Sequence, residues 1–372
     1  MGSGGSAKAT PAASPSPAES PSPSPSPLPC AQPAARPRAA GVASADPVLL
    51  LASGLNSPDD LWYSDADGSV LVGEHGDGHI SLLTAGGALS RLPQVVLEVE
   101  GIAQIGGTTY VADQFHARVV ALTGTGVRTV LQLLPVPTGE NLDGITADKD
   151  LLIVPDSPHG TLLVVDTSGH VLRRVAGFSR PAGVSVGLTS RYLVADENAS
   201  AVFGVDQTGG PRRLFGNLPG VDDVVQDVAR NGDIYAILPG PGRLVDLTAG
   251  ANVATGLRNP QGMGFDGAGN LLLAESDNGH LDLVIRTFAL EAPTGVVQLG
   301  PGQPVCLGVL RAPGNAEPVR VVSASQAGYD SSPTTSNTIE VQPDPCLVAS
   351  CTATVTVSGD SGLEYAQFTY RD

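Results

Sequence analysis

The stretch Pro260-Gln261-Gly262-Met263-Gly264-Phe265-Asp266-Gly267-Ala268-Gly269-Asn270-Leu271-Leu272-Leu273-Ala274-Glu275 holds two short apolar runs joined by an Asp/Gly turn. Runs of that length around such a turn read as a β-hairpin. The unit recurs upstream. Pro58-Asp59-Asp60-Leu61, Val99-Glu100-Gly101-Ile102, Leu142-Asp143-Gly144-Ile145, Pro181-Ala182-Gly183-Val184 and Val221-Asp222-Asp223-Val224 open blocks of the same plan. With Pro260 included, successive blocks are spaced by 41, 43, 39, 40 and 39 residues. A period near 40 with several strands per unit predicts an all-β, six-bladed β-propeller. The second strand of each block, such as Leu151-Leu152-Ile153-Val154 or Leu271-Leu272-Leu273-Ala274, is a near-continuous apolar run. Such runs suit strands covered on both faces, as stacked blades would provide.

Outward from the repeat, the chain divides into three expected parts. Residues 1–40 read as a disordered Pro/Ser/Ala-rich stalk, too poor in apolar surface to offset its ordering entropy. Residues 41–290 are the expected propeller. Pro47-Val48-Leu49-Leu50-Leu51-Ala52-Ser53-Gly54-Leu55-Asn56-Ser57-Pro58 matches Asn252-Val253-Ala254-Thr255-Gly256-Leu257-Arg258-Asn259-Pro260, so the repeat starts out of phase, on an outer strand. That strand is expected to complete the sixth blade and leave no open edge. Residues 291–372 read as a small β-rich unit; a seventh blade is the rival reading, but the 40-residue spacing fails there. Of the four cysteines, Cys306, Cys346 and Cys351 lie in this last unit and Cys30 in the stalk. At least one disulfide among the last three is expected, with the pairing left open. The opening Met1-Gly2-Ser3-Gly4-Gly5-Ser6 shows no apolar signal region and reads as a scar or a trimmed start. A stalk ahead of a disulfide-bearing domain points to a secreted or surface-tethered protein.

Composition narrows the function. The 372 residues carry a formal charge of −17, which disfavours nucleic acid as a partner. No run of 18 apolar residues is present, so no membrane span is expected. Gly 46 and Pro 31 against Phe 7, Tyr 7 and Trp 1 fit many turns and exclude helical bundles.

The second residue of each quartet holds the same place in every block: Asp59, Glu100, Asp143, Ala182, Asp222 and Gln261. Inner strands of a propeller begin at the channel mouth, so these side chains are expected to converge there. Four carboxylates around one mouth repel each other unless some protonate or a cation sits among them. An all-oxygen anionic site suits Ca²⁺ best, with Mg²⁺ or Mn²⁺ next. Asp59, Glu100, Asp143, Asp222 and Gln261 are the candidate metal ligands. The competing reading is a solvated acidic rim that caps backbone N–H groups. No organic cofactor is expected.

The 260–278 block resembles an NHL repeat, and also a blade of the SMP-30/gluconolactonase and paraoxonase propellers; the likeness covers about 47–289. In those enzymes a channel metal polarises the carbonyl of a lactone or ester. The resemblance implies that Asp59 matches the first-blade acid, Asp143 an asparagine ligand, and Asp222 the aspartate that is both ligand and candidate catalytic base. Val221-Asp222-Asp223-Val224 also looks like the paraoxonase-type Asp-Asn pair. Ala182 departs from the pattern, because a methyl group cannot coordinate.

Other motifs carry less. Gly183-Val184-Ser185-Val186-Gly187 fits a nucleophile elbow, but an elbow joins a strand to a helix and none follows. His75 and His79 read as turn-surface residues, while His116 and His159, in the equivalent turns, are candidate acids or bases beside a ligand. Asp65-Ala66-Asp67-Gly68 and Asp266-Gly267-Ala268-Gly269 read as hairpin turns rather than calcium loops. Two functions follow: an exported propeller that binds a small molecule or protein without chemistry, and a Ca²⁺-dependent lactonase or esterase.

Overall fold

The computed structural model describes residues 29–33, 35–137 and 141–372. Its fold is all-β and built from four-stranded sheets, as in a β-propeller. Among the described residues, six antiparallel sheets repeat one plan. Sheets I to VI begin with the strands Pro58–Tyr63, Val99–Ile105, Thr146–Asp148, Pro181–Val186, Val224–Gln226 and Pro260–Phe265. In sheets I to V the other strands follow in chain order. Sheet VI takes its fourth strand, Val48–Ser53, from ahead of sheet I; Val48 lies opposite Val284 and Ser53 opposite His280. Sheet V gains a short fifth strand, Ala43–Ser44.

The first strands stand side by side. Each touches the next, and that of sheet VI touches that of sheet I. Their approach is close enough to dictate residue type. A Cβ on Gly262 would lie 2.2 Å from the carbonyl oxygen of Asp59, and one on Gly183 would lie 2.5 Å from Cα of Asp223. Glycine is therefore required at the third quartet position in these sheets. Between sheets the apolar runs meet face to face. Leu61, Val70 and Val72 of sheet I pack on Leu272, Ala274 and Leu281 of sheet VI. Ala103, Tyr110 and Val119 of sheet II pack on Leu142, Leu152 and Leu163.

Two further sheets make up the C-terminal unit. One joins Phe288–Glu291, Val305–Arg311, Thr338–Pro343 and Ala327–Tyr329; the other joins Val296–Gln298, Leu363–Arg371, Cys351–Ser358 and Arg320–Ser325. They enclose a core of their own that includes Phe288, Leu307, Val355, Phe368 and Tyr370. Neither sheet follows the strand order of the six described above. At the expected boundary, Phe288–Glu291 pairs with Val305–Arg311, and its Phe288 and Leu290 enter this core.

The expected stalk also ends earlier than residue 40. Residues 1–28 lie outside the described residues. Cys30 is bonded to Cys306, Ala31 bridges Val305, the Arg36 N–H donates to Glu291 Oε1 (2.8 Å), and Ala39 is buried. These partners, absent from a purely Pro/Ser sequence, give residues 29–33 and 35–40 a place in the fold. The second disulfide, Cys346–Cys351, lies within the C-terminal unit, as expected for its cysteines.

The C-terminal unit docks on hairpin turns at the far ends of the first strands. Arg230 donates to the carbonyls of Ser361 (2.6 Å) and Gly267 (2.7 Å), and Tyr365 Oη donates to the carbonyl of Asp65 (2.6 Å). The quartet acids stand at the opposite ends of those strands, so the docked unit leaves them uncovered.

Candidate functional site

All six second-position residues line one cavity of about 260 Å³. Asp60, Asp223, Trp62, Tyr63, Ser185 and Phe265 contribute to the same wall. The quartet turn aims them inward. In sheets I and VI the second residue lies inside the strand, one place after its start at Pro58 or Pro260; in sheets III and V the strand starts two or three residues later, at Thr146 and Val224. Gly144, at φ +62°, adopts a left-handed turn just after Asp143 that delays the strand. Asp143 and Asp222 therefore sit on the approach to their strands rather than in them.

The four acids are not equivalent. Asp143 is nearly buried and well held. Gln114 Nε2 donates to its Oδ1 (2.7 Å), Ser157 Oγ accepts from its backbone N–H (3.0 Å), and Arg180 pairs with its Oδ2 (3.0 Å). Arg180 also pairs with Glu197. Glu100 Oε1 lies 2.5 Å from Nδ1 of His75. Single donor atoms of Asp59, His75 and Glu100 lie within 4.8 Å of one another. Asp143 and Asp222 line the same cavity outside that cluster.

Electrostatics set the cavity apart. Desolvation, then the neighbouring Glu100, pushes Asp59 well above the usual carboxylate range, against the pull of His75. Desolvation, then Asp143 and Asp222, does the same to Glu100. Asp222 is raised by desolvation and by Asp59 and Asp143, with Arg180 opposing. Negative charge here exceeds what Arg180 and His75 balance. Such a cavity can take up a proton, a cation or a cationic ligand group.

The third-position acids do something different. Asp60 accepts the Leu61 N–H (2.8 Å) and, across the sheet boundary, the Ile102 N–H (2.7 Å). Asp223 accepts the Val224 N–H (2.7 Å) and the Met263 N–H of sheet VI (3.1 Å). Each joins its sheet to the next. The rim-capping role expected of the second-position acids thus falls to their neighbours. Burial pushes Asp60 up to about 7 despite both bonds.

Sequence reading overlooked Arg180 and undervalued His75. The expectation that His75 is a turn-surface residue is corrected: it is half-exposed but bonded to Glu100, inside the acid group. His116 and His159 instead pair with the strand-end acids Asp113 and Asp156 (2.9 and 2.6 Å), and neither lines the cavity. A positional signal was available. His75, Gln114, Ser157 and Glu197 each follow the acid that ends a second strand, and each bonds a quartet acid or its arginine. Ser185 is in the strand Pro181–Val186, which is followed by another strand, so no elbow forms. In the Asp266 turn, Oδ1 accepts the N–H groups of Ala268, Gly269 and Asn270 (3.1, 2.8 and 2.8 Å), closing a hairpin turn.

The fold is that of a β-propeller. Among solved structures, the chain is similar to a gluconolactonase from Xanthomonas campestris, with 13% identity, a TM-score of 0.53, and coverage of 64% of this chain and 89% of that one. It is also similar to a putative oxidoreductase (glucose dehydrogenase) from Thermus thermophilus, at 16% identity and TM-score 0.52 over 64% of this chain and 99% of the other. A virginiamycin B lyase from Staphylococcus aureus follows at 15% identity and TM-score 0.50, with 65% and 98% covered. At these identities the likeness is one of fold. No protein-family model matches the chain, and no curated protein is significantly similar to it.

Proposed function

We propose that this chain is an exported six-bladed propeller, closed by Val48–Ser53, that binds a small polar ligand at the acidic end of its channel through a divalent cation. The reading rests on one observation: Asp59, Glu100 and Asp222 share a cavity with more negative charge than their neighbours neutralise. The donor set fits a hard cation, Ca²⁺ first, since its carboxylates are joined by the amide of Gln261. Asp143, engaged by Gln114 and Arg180, would stand behind the site as an orienting group. Ala182 offers no donor, and Arg180, one residue before Pro181, brings a positive charge to that side. His75 would orient Glu100. The two disulfides suit an oxidising compartment. Among the described residues no helix is long and apolar enough to cross a membrane.

A second reading, a lactonase or esterase, is favoured by Asp222. It is recessed in the cavity and holds its proton more tightly than an exposed carboxylate, which suits general acid–base work. A bound divalent cation would supply polarisation of a carbonyl oxygen. Asp222 would hold or move the proton, and Arg180 would orient an anionic or carbonyl group.

Calcium titration by calorimetry, alongside a lactone and aryl-ester screen, tests both readings. The parent should bind Ca²⁺ and melt higher with it, by about 2.7 kcal/mol of stabilisation at a hundredfold excess over Kd. Asp222→Asn and Asp59→Asn should each weaken that response. Turnover lost in Asp222→Asn favours the hydrolase; calcium binding without turnover favours the binding module. A parent indifferent to calcium, magnesium and chelator overturns the cation reading.

A further inference from the structure

The acids that end the second strands form a second series around the fold: Glu74, Asp113, Asp156, Asp196 and Glu275. Four of the five are matched by donors. Glu74 accepts from Ser81 Oγ (2.6 Å) and pairs with Arg91 (2.8 Å). Asp113 pairs with Arg118 (2.7 Å), and Asp156 with His159. Asp196 accepts the backbone N–H groups of Ser179, Arg180 and Ala199 (2.6, 2.9 and 3.0 Å).

Glu275 is the exception. Its Oε2 accepts from the Arg258 N–H and, at 3.4 Å, from Asn278, but its Oε1 is buried without a hydrogen-bond partner. Beside it stands a second acid, Asp282. Asp282 is fully buried; its carboxyl lies against that of Glu275, and no N–H or hydroxyl donor reaches either of its oxygens. His280 completes the group: one donor atom each from Glu275, His280 and Asp282 lie within 4.8 Å of one another. Strand register explains the meeting. Glu275 is directly opposite His280, Asp282 is opposite Leu273, and alternate residues share a face.

Sheet I shows what the same framework does when it is neutralised internally. Glu74, His79 and Ser81 have the spacing of Glu275, His280 and Asp282. Ser81 faces Arg91 on the fourth strand; Asp282 faces Leu50 on the fourth strand of sheet VI. Relative to sheet I, sheet VI has exchanged a hydroxyl donor for a carboxylate and an arginine for a leucine. Counted as ionised groups, that exchange makes the pocket two charges more negative around the buried Glu275 and Asp282.

We propose that Glu275, His280 and Asp282 hold a divalent transition-metal ion of the Zn²⁺ class inside sheet VI. Two carboxylates and an imidazole are the donor set for such an ion rather than for calcium. Donors around a zinc-sized ion sit roughly 3–4 Å apart, so modest side-chain rotation closes the group. The half-exposed His280, next to the turn after Glu275, gives access from the surface. Because His280 and Asp282 lie on the strand that pairs with Val48–Ser53, the ion would fasten the sheet that uses the N-terminal strand. This site is separate from the channel mouth and does not depend on the function proposed for it.

The test uses the full chain carrying Asp59→Asn and Asp222→Asn, which removes competition from the channel acids. Chelator-stripped protein is titrated with Zn²⁺, and with Co²⁺ as a spectroscopic probe. One equivalent should bind, with Co²⁺ developing visible d–d absorption. His280→Ala or Asp282→Ser should weaken binding by roughly a hundredfold or more, since each removes a direct ligand. Asp282→Ser combined with Leu50→Arg rebuilds the sheet I arrangement; it should fold and melt at one temperature with or without Zn²⁺. Undiminished Zn²⁺ affinity in these variants overturns the proposal. So does a parent that takes up no ion, which would leave a proton shared between two carboxyls as the account of this pocket.

Discussion

Two adjacent aspartates near the start of one strand, Asp59 and Asp60, do unlike things because their side chains leave the backbone in different directions. Asp59 faces the cavity, whereas Asp60 is spent on the N–H groups of Leu61 and Ile102. Asp222 and Asp223 divide the work in the same way. Asp60→Ala or Asp223→Ala leaves a recessed N–H of the next sheet without its acceptor, a cost of about 1–3 kcal/mol. Thermal or urea unfolding should show that loss, while Asp150→Ala, at an exposed turn, should stay within about 0.5 kcal/mol of the parent. The positions of the acids are legible in the repeat, but this division is not. Periodicity identifies equivalent residues, and a hydrogen bond to the neighbouring sheet is invisible to it. Arg180 escapes notice for a related reason: it lies one residue outside the repeated quartet, where the other blocks carry no cation.

Strands were the most legible level. Apolar runs near a 40-residue period marked the first and second strands, and the match of 47–58 to 252–260 anticipated the pairing of Val48–Ser53 with His280–Val284. Less legible were the shortened first strands of sheets III and V, where a left-handed glycine or a bonded aspartate delays the ladder. The borrowed strand buries Val48, Leu49 and Ala52. At roughly 1.5–3 kcal/mol for each larger side chain, its removal takes a large share of a domain's usual 5–15 kcal/mol. Deleting residues 1–53 should therefore unfold or aggregate the protein, whereas deleting 1–28 should leave its melting temperature unchanged. Deletion of 1–40, neutral if all of it were stalk, should instead be costly, because it removes Cys30, Arg36 and Ala39. Equal melting of all three truncations would refute this assignment. The disulfides should rank by the length of chain they close. Cys30–Cys306 spans 276 residues and Cys346–Cys351 spans 5. Chain entropy gives roughly 6 against 2 kcal/mol, so Cys30→Ser should lower the melting temperature more than Cys351→Ser.

At the scale of the whole molecule, the propeller and the C-terminal unit meet over a buried pair of acids. Asn270 Nδ2 donates to Asp266 (2.8 Å) and, at 3.4 Å, to Glu364, and Arg36 lies close enough to act on Glu364. Asp266 is therefore more than a turn residue. Desolvation, then Asp266, raises Glu364 well above the usual range; desolvation raises Asp266 too. A carboxyl that titrates higher folded than unfolded stabilises the fold while protonated. That contribution is complete below the unfolded pKa, about 4, and is lost as pH rises through the folded value. Chelator-treated protein should thus lose stability from about pH 4 upward, and Glu364→Gln should flatten that slope in a series of melts. An unchanged slope would remove this interface as its source. None of this contact was legible beforehand, because the repeat says nothing about residues 291–372.

The Cys30–Cys306 bond also decides how the protein answers to mechanical load. Tension arriving through residues upstream of Cys30 passes across a covalent link into Val305–Arg311, deep in the C-terminal sandwich. The strand Val48–Ser53, held only by hydrogen bonds and apolar contacts, is bypassed. Reduction would reroute the pull along residues 31–47 and peel that strand from sheet VI one residue at a time. A protein tugged from its N-terminal side should therefore withstand far more force oxidised than reduced, with the thiol redox state acting as its mechanical fuse.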